Sequence, residues 1–129
     1  MKKHVFGILF IVLSAFTHVV HAAETRAFTA SDYKAAQAAE TPVVIHVRAS
    51  WCMICKKQVG VLDELMTQPE FSDYTLFIID FSTQKELATS FGVSRQSTFI
   101  VSKGEEELGR SVGQTSRDQI RELLLKAAS

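Results

Sequence analysis

Cysteine is scarce in this chain, which holds only Cys52 and Cys55 among 129 residues. Two thiols are too few for a zinc site within one chain, since structural zinc takes four ligands. A surplus of either charge is also missing: 14 Lys and Arg face 14 Asp and Glu. A near-neutral chain has no electrostatic footprint for nucleic acid. Repeats and low-complexity segments are absent. An apolar run long enough to cross a bilayer is absent too, because Val5 to Phe16 falls well short of the roughly twenty residues a spanning helix needs.

That short apolar run has a basic start, Met1-Lys2-Lys3, and is followed by Val20-His21-Ala22, which ends on a small residue. The layout is that of a secretory signal peptide over residues 1–22, cut after Ala22. Retention as an uncleaved membrane anchor is the competing reading. Residues 23–129 then form one domain, large enough for a single core. Loss of Lys2 and Lys3 tips that domain slightly acidic, and loss of His4, His18 and His21 leaves His46 as its one histidine. Export places the cysteines in an oxidising compartment, where disulfides form and persist.

The periodicities predict a small α/β domain. Thr29-Ala30-Ser31-Asp32 caps an alanine-rich helix over Tyr33–Glu40, stopped by Pro42. Val43–Val47 is a β-branched run bounded by turn signals, hence a buried strand. Cys52, Cys55, Val59, Leu62, Leu65 and Met66 recur at spacings of three and four, lining one face of a helix that ends near Gln68-Pro69. Gly60 inside it costs roughly 1 kcal/mol against alanine. Tyr74–Ile79 reads as a second buried strand. Thr83 with Glu86 forms a capping box for a short helix through Phe91, closed by Gly92. Thr98–Val101 is a third strand, turning through Ser102–Glu105 into an edge strand near Glu107-Leu108, with a bulge at Gly109. Ser116, with Gln119 three residues on, caps a last helix whose Ile120, Leu123, Leu124 and Ala127 share a face. Together these give three layers, α/β/α, around a central mixed β-sheet.

The chemistry concentrates at Ala49-Ser50-Trp51-Cys52-Met53-Ile54-Cys55-Lys56. Strand, tight turn, Cys-x-x-Cys and helix is a setting for redox chemistry. Unpaired N–H groups and the dipole at a helix N-terminus favour an anion, so Cys52 is held partly as thiolate. Cys55, one turn later, can close a disulfide or resolve a mixed one. A purely structural disulfide is the plainer alternative, but so short a loop removes little chain entropy.

The element order, the Ala49-x-Trp51-Cys52-x-x-Cys55-Lys56 wording, Phe91-Gly92-Val93, Thr98 at a strand start and Val112-Gly113 before the last helix resemble thioredoxin. The likeness runs from about Thr29 to Lys126, and the exported form is similar to bacterial periplasmic thioredoxin-like proteins. It implies a thioredoxin fold and reversible dithiol–disulfide exchange, with Cys52 as the exposed nucleophile, Cys55 as the buried resolving thiol and Trp51 flanking the site. No cofactor and no bound metal are expected. The implied partners are protein thiol or disulfide clients and a membrane or soluble redox partner, with the protein a monomer.

Departures from the family pattern mark further candidates. Ser97, just before Thr98, stands where the family has a cis-proline facing the cysteines. A non-proline cis bond costs about 2.5–4 kcal/mol, so a trans bond is expected at Ser97. His46, six positions before Cys52, stands where thioredoxins carry a buried acid. It is either a cation or base acting on the thiols or a core histidine bonded to a backbone carbonyl. Gly60 replaces a helix-kinking proline, and Arg48 replaces an aromatic. Lys56 and Lys57 either tune the thiolate or are simply solvated. The function expected is an exported thiol–disulfide oxidoreductase that reduces periplasmic clients. The alternative is a non-catalytic thioredoxin scaffold, altered at Ser97, that docks a partner or shares a metal or iron–sulfur cluster between two copies through Cys52 and Cys55.

Overall fold

The computed structural model describes residues 14, 15 and 22–128. The leader expected over residues 1–22 lies, apart from 14, 15 and 22, outside the described residues. Among the described residues no helix is long and apolar enough to cross a membrane.

The chain runs β1 (Glu24–Ala27), α1 (Ala30–Ala38), β2 (Pro42–Arg48), α2 (Met53–Leu65), a 3-10 turn at Pro69–Phe71, β3 (Thr75–Asp80), α3 (Lys85–Ser90), β4 (Thr98–Lys103), β5 (Glu106–Val112) and α4 (Arg117–Leu125). The described strands form a five-stranded mixed sheet in the order β1-β3-β2-β4-β5. β1 and β2 run parallel to β3, while β4 is antiparallel to β2 and to β5. The period-2 alternation of β2 sorts its side chains onto two faces. Val44 joins the core formed with Leu62 and Leu65 of α2 and Ile120, Leu123 and Leu124 of α4. Val43, Ile45 and Val47 join Ala36 of α1 and Ala88 of α3 on the opposite face. The expected three-layer α/β/α arrangement results, with β2 buried on both sides.

Several local expectations shift. β1 adds a strand to those expected; its four residues are all exposed, so no buried face marks it in the sequence. The first helix begins at Ala30, earlier than Tyr33, because Thr29 Oγ1 accepts the Asp32 N–H at 3.2 Å. The capping box at Thr83 and Glu86 does not form: α3 starts at Lys85, with Gln84 at the N-cap making no side-chain cap bond. Asp80 accounts for this, since its Oδ1 accepts the N–H groups of Ser82 and Thr83 and winds the chain into a turn there. Ser116 caps α4 as expected, accepting from the Gln119 N–H at 3.4 Å. The β4–β5 register slips by one residue opposite Val101 and Ser102, so the bulge falls beside Gly109. A side chain at Gly109 would stand 2.9 Å from Leu123 Cδ1, so the glycine lets α4 lie close against β5.

Candidate active site

α2 starts where β2 ends, and the turn between them delivers the cysteine pair to that end of the sheet. Cys52 occupies the N-cap of α2 with extended backbone, and its Sγ accepts the Cys55 N–H at 3.1 Å. One of the unpaired donors of the first turn is therefore spent on sulfur. Cys52 and Cys55 are joined as a disulfide, with Cα atoms 5.2 Å apart. Cys55 is 1% exposed and Cys52 only 6%. The expectation of an exposed Cys52 is thus corrected for the oxidised pair: its sulfur turns back toward the helix rather than out to solvent.

Around the pair lies apolar surface. Trp51, Met53 and Ile54 are exposed, and so is Val112, which pairs with Thr98 at the same end of the sheet. The Trp51 indole N–H donates to Ser82 Oγ at 3.1 Å, which fixes the ring on the turn that Asp80 organises. Lys56 is exposed on the first turn of α2. On the other flank, Lys56 and Arg48 with Asp80 help to line a groove of about 440 Å³ whose apolar wall includes Ala49, Cys55, Val59 and Ile78.

His46 is completely buried on β2, stacked on Phe99 with ring centroids 4.7 Å apart. Its Nε2 lies 2.9 Å from Gln58 Oε1. Gln58 directs its amide nitrogen to two carbonyls, Ser97 O at 3.1 Å and Gln114 O at 2.9 Å. Carbonyls only accept, so both amide hydrogens of Gln58 are committed and its Oε1 must receive. His46 is therefore the Nε2–H tautomer. Nδ1 carries the lone pair and has no hydrogen-bond partner among the described residues. Burial pushes the His46 pKa down to about 4, the Gln58 bond opposing this and the Arg48 charge adding to it. At neutral pH the ring is uncharged. The cation is thereby excluded, and the ring's partner in the core is a side-chain amide, not the expected backbone carbonyl.

Ser97 is buried at the entry to β4, and no cis peptide bond occurs among the described residues, as expected there. What the residue adopts instead is a left-handed backbone, φ 62°, a region that residues other than Gly, Asn and Asp visit rarely. Three bonds hold it. Ser97 O accepts from the Gly113 N–H at 2.8 Å and from Gln58, and Ser97 Oγ donates to Gln96 O at 2.5 Å. Thr98, also buried, donates its hydroxyl to Arg95 O at 2.9 Å. Gln58 is the site residue that sequence reasoning missed. The signal was available: it sits three residues after Cys55 and four before Leu62, on the stripe that α2 buries.

A buried disulfide at a helix N-cap, on a three-layer α/β domain with an apolar surround, defines a dithiol–disulfide exchange protein. The chain belongs to the thioredoxin family, whose profile it matches over residues 24–126. It is 31% identical over 119 residues to the thioredoxin H-type of Brassica oleracea, covering 88% of this chain and 94% of that one. Over 71 residues it is 37% identical to thioredoxin H2-1 of Oryza sativa, a match spanning 55% of this chain and half of that protein. Among solved structures, Trxlp from Edwardsiella tarda superposes with a TM-score of 0.76 at 36% identity, covering 78% of this chain and 98% of that one. Thioredoxins are thiol–disulfide oxidoreductases, and this chain carries the Cys-x-x-Cys pair that the reaction requires.

Proposed function

We propose that this protein is an exported reductant of disulfides in periplasmic client proteins. The observation that carries the reading is the Cys52 sulfur at the N-cap of α2, accepting the Cys55 N–H while Cys55 stays buried behind it. In the reduced protein the same N–H and the helix N-terminus stabilise negative charge on Cys52. The Cys52 thiolate attacks one sulfur of a client disulfide, and the other client sulfur leaves as thiolate. Cys55 then loses its proton and attacks Cys52 Sγ, releasing the second client thiolate. Two electrons pass to the client, and the protein ends as the Cys52–Cys55 disulfide. The exposed Trp51, Met53, Ile54 and Val112 offer apolar contact to an unfolded or extended client.

Export rests on the basic start, the apolar run Val5–Phe16 and the small residue Ala22. Sequencing the N-terminus of the protein recovered from a periplasmic fraction tests it, with Ala23 expected first. Direction is tested by equilibrating the Cys52–Cys55 pair with glutathione and trapping the thiols. A potential near about −270 mV marks a reductant, whereas one near about −120 mV marks an oxidant and overturns the reading.

A further inference from the structure

We propose that Gln58 is a positioning residue that sets the loop facing the cysteines, and thereby governs reduction of disulfides carried in polypeptides but not of small free ones. The inference rests on the oxidoreductase reading above and adds a specificity determinant to it.

β4 runs antiparallel to β2 with Thr98 opposite Val47, and Val112 of β5 lies opposite Thr98. The segment Ser94–Ser97 therefore enters the sheet at the end where β2 gives way to the Cys52–Cys55 turn. Within it Ser94 and Arg95 are exposed and Gln96 half-buried, while Ser97 is buried. An extended client reaching Cys52 across this end meets Ser94–Gln96 and Val112 on one side and Trp51, Met53 and Ile54 on the other.

The loop does not hold its shape by proline. Ser97 is kept in a left-handed conformation, which is strained for a residue with a side chain. Such a conformation persists only where the surroundings over-determine it. Gln58 supplies that from below: one fully buried side chain bonds Ser97 O, Gln114 O and His46 Nε2. It joins the loop before β4, the loop before α4 and the central strand β2 to the helix that carries the cysteines. Because Gln58 lies one turn beyond Cys55 on the same buried face, the spacing between pair and loop is set by a single rigid element. Neither sulfur is bonded to Gln58, so loss of its bonds leaves the pair's own contacts in place for a disulfide that needs no platform.

Gln58→Glu separates the functions of this side chain. A carboxylate still accepts from His46 Nε2 but cannot donate to Ser97 O or Gln114 O. Burial raises a carboxyl pKa, so on acidification the protonated side chain regains one donor. Gln58→Met, which is flexible and removes all three bonds, serves as the second variant should the first fail to fold. The probes are insulin and 5,5′-dithiobis(2-nitrobenzoate). For both variants at pH 8, KM for insulin should rise about tenfold with kcat kept, while the rate with the small disulfide stays within about twofold of the unmodified protein. Lowering the pH to 5.5 should restore insulin affinity in Gln58→Glu and not in Gln58→Met. Equal losses on both substrates, or no loss on insulin, overturn the positioning role. Failure of the unmodified protein to reduce either substrate overturns instead the oxidoreductase reading beneath it.

Discussion

The backbone N–H of Cys55 points at Cys52 Sγ across 3.1 Å, so a sulfur occupies the place an N-cap oxygen ordinarily takes. The two cysteines are distinguished by this bond more than by depth, since both are largely covered when paired.

In the reduced protein the two thiols should differ in reactivity. Negative charge is favoured on the sulfur that receives the N–H and faces the helix terminus, so at pH 7 Cys52 should be alkylated at least about tenfold faster than Cys55. Limited iodoacetamide labelling followed by peptide mass mapping measures the ratio. Equal labelling, or faster labelling of Cys55, would show that the cap does not select the nucleophile.

His46 predicts a pH dependence of stability. Its pKa falls from 6.5 to about 4 on folding, so between these values the unfolded chain binds the extra proton. Stability contributed in full above pH 6.5 is therefore lost as the pH drops from 6.5 through 4, by roughly 3 kcal/mol at the limit. Urea unfolding at pH 7, 5.5 and 4 should show the decline, and His46→Gln, which can still donate to Gln58 Oε1, should flatten it. Parallel curves for the two proteins would remove His46 as the cause.

Ser97 gives opposite expectations for two substitutions. Proline fixes φ near −65° and cannot adopt the 62° observed, so Ser97→Pro should destabilise the protein by more than about 1 kcal/mol. Glycine accepts the conformation, and Ser97→Gly should stay within about 1 kcal/mol of the parent, relief of strain offsetting the lost bond to Gln96 O. Denaturant midpoints for the pair decide it. A Ser97→Pro protein as stable as the parent would mean that the left-handed turn is dispensable.

Gly109 tests the seam between β5 and α4. A methyl group there meets Leu123 Cδ1 at 2.9 Å and Lys126 Cδ at 3.2 Å. Lys126 can swing away, but Leu123 belongs to the core, so Gly109→Ala should cost about 1–2 kcal/mol through local overpacking. Thermal unfolding reads this as a lowered Tm. An unchanged Tm would show that α4 shifts freely.

What the sequence made legible was whatever is encoded locally. β2 announced itself by an unbroken β-branched run, α4 by Ser116 and its apolar stripe, and the reactive pair by spacing between strand and helix. Features that depend on partners distant in the chain were hidden. β1 is four exposed residues that become a strand only because β3 offers it a ladder. The cap expected of Thr83 gave way to Asp80, whose carboxylate takes the Thr83 N–H that Glu86 would have received, together with the Ser82 N–H beside it. Gln58 reads as a polar interruption in an apolar stripe until His46, Ser97 and Gln114, from three other segments, are seen around it.

The cap made by Cys52 ties chemistry to folding through a closed thermodynamic cycle. Oxidising the folded protein, unfolding it, reducing the loose chain and refolding it must return zero free energy. Hence the difference in unfolding free energy between the dithiol and disulfide forms equals the displacement of the pair's potential from that of the same Cys-Met-Ile-Cys segment in a structureless chain. At about 1.4 kcal/mol for every 30 mV, a helix terminus that favours thiolate makes the reduced form the harder to unfold by the amount that it shifts the couple toward oxidising power. A substitution at the start of α2 that weakens the dithiol form more than the disulfide form should therefore move the gap between their melting points and the electron affinity together.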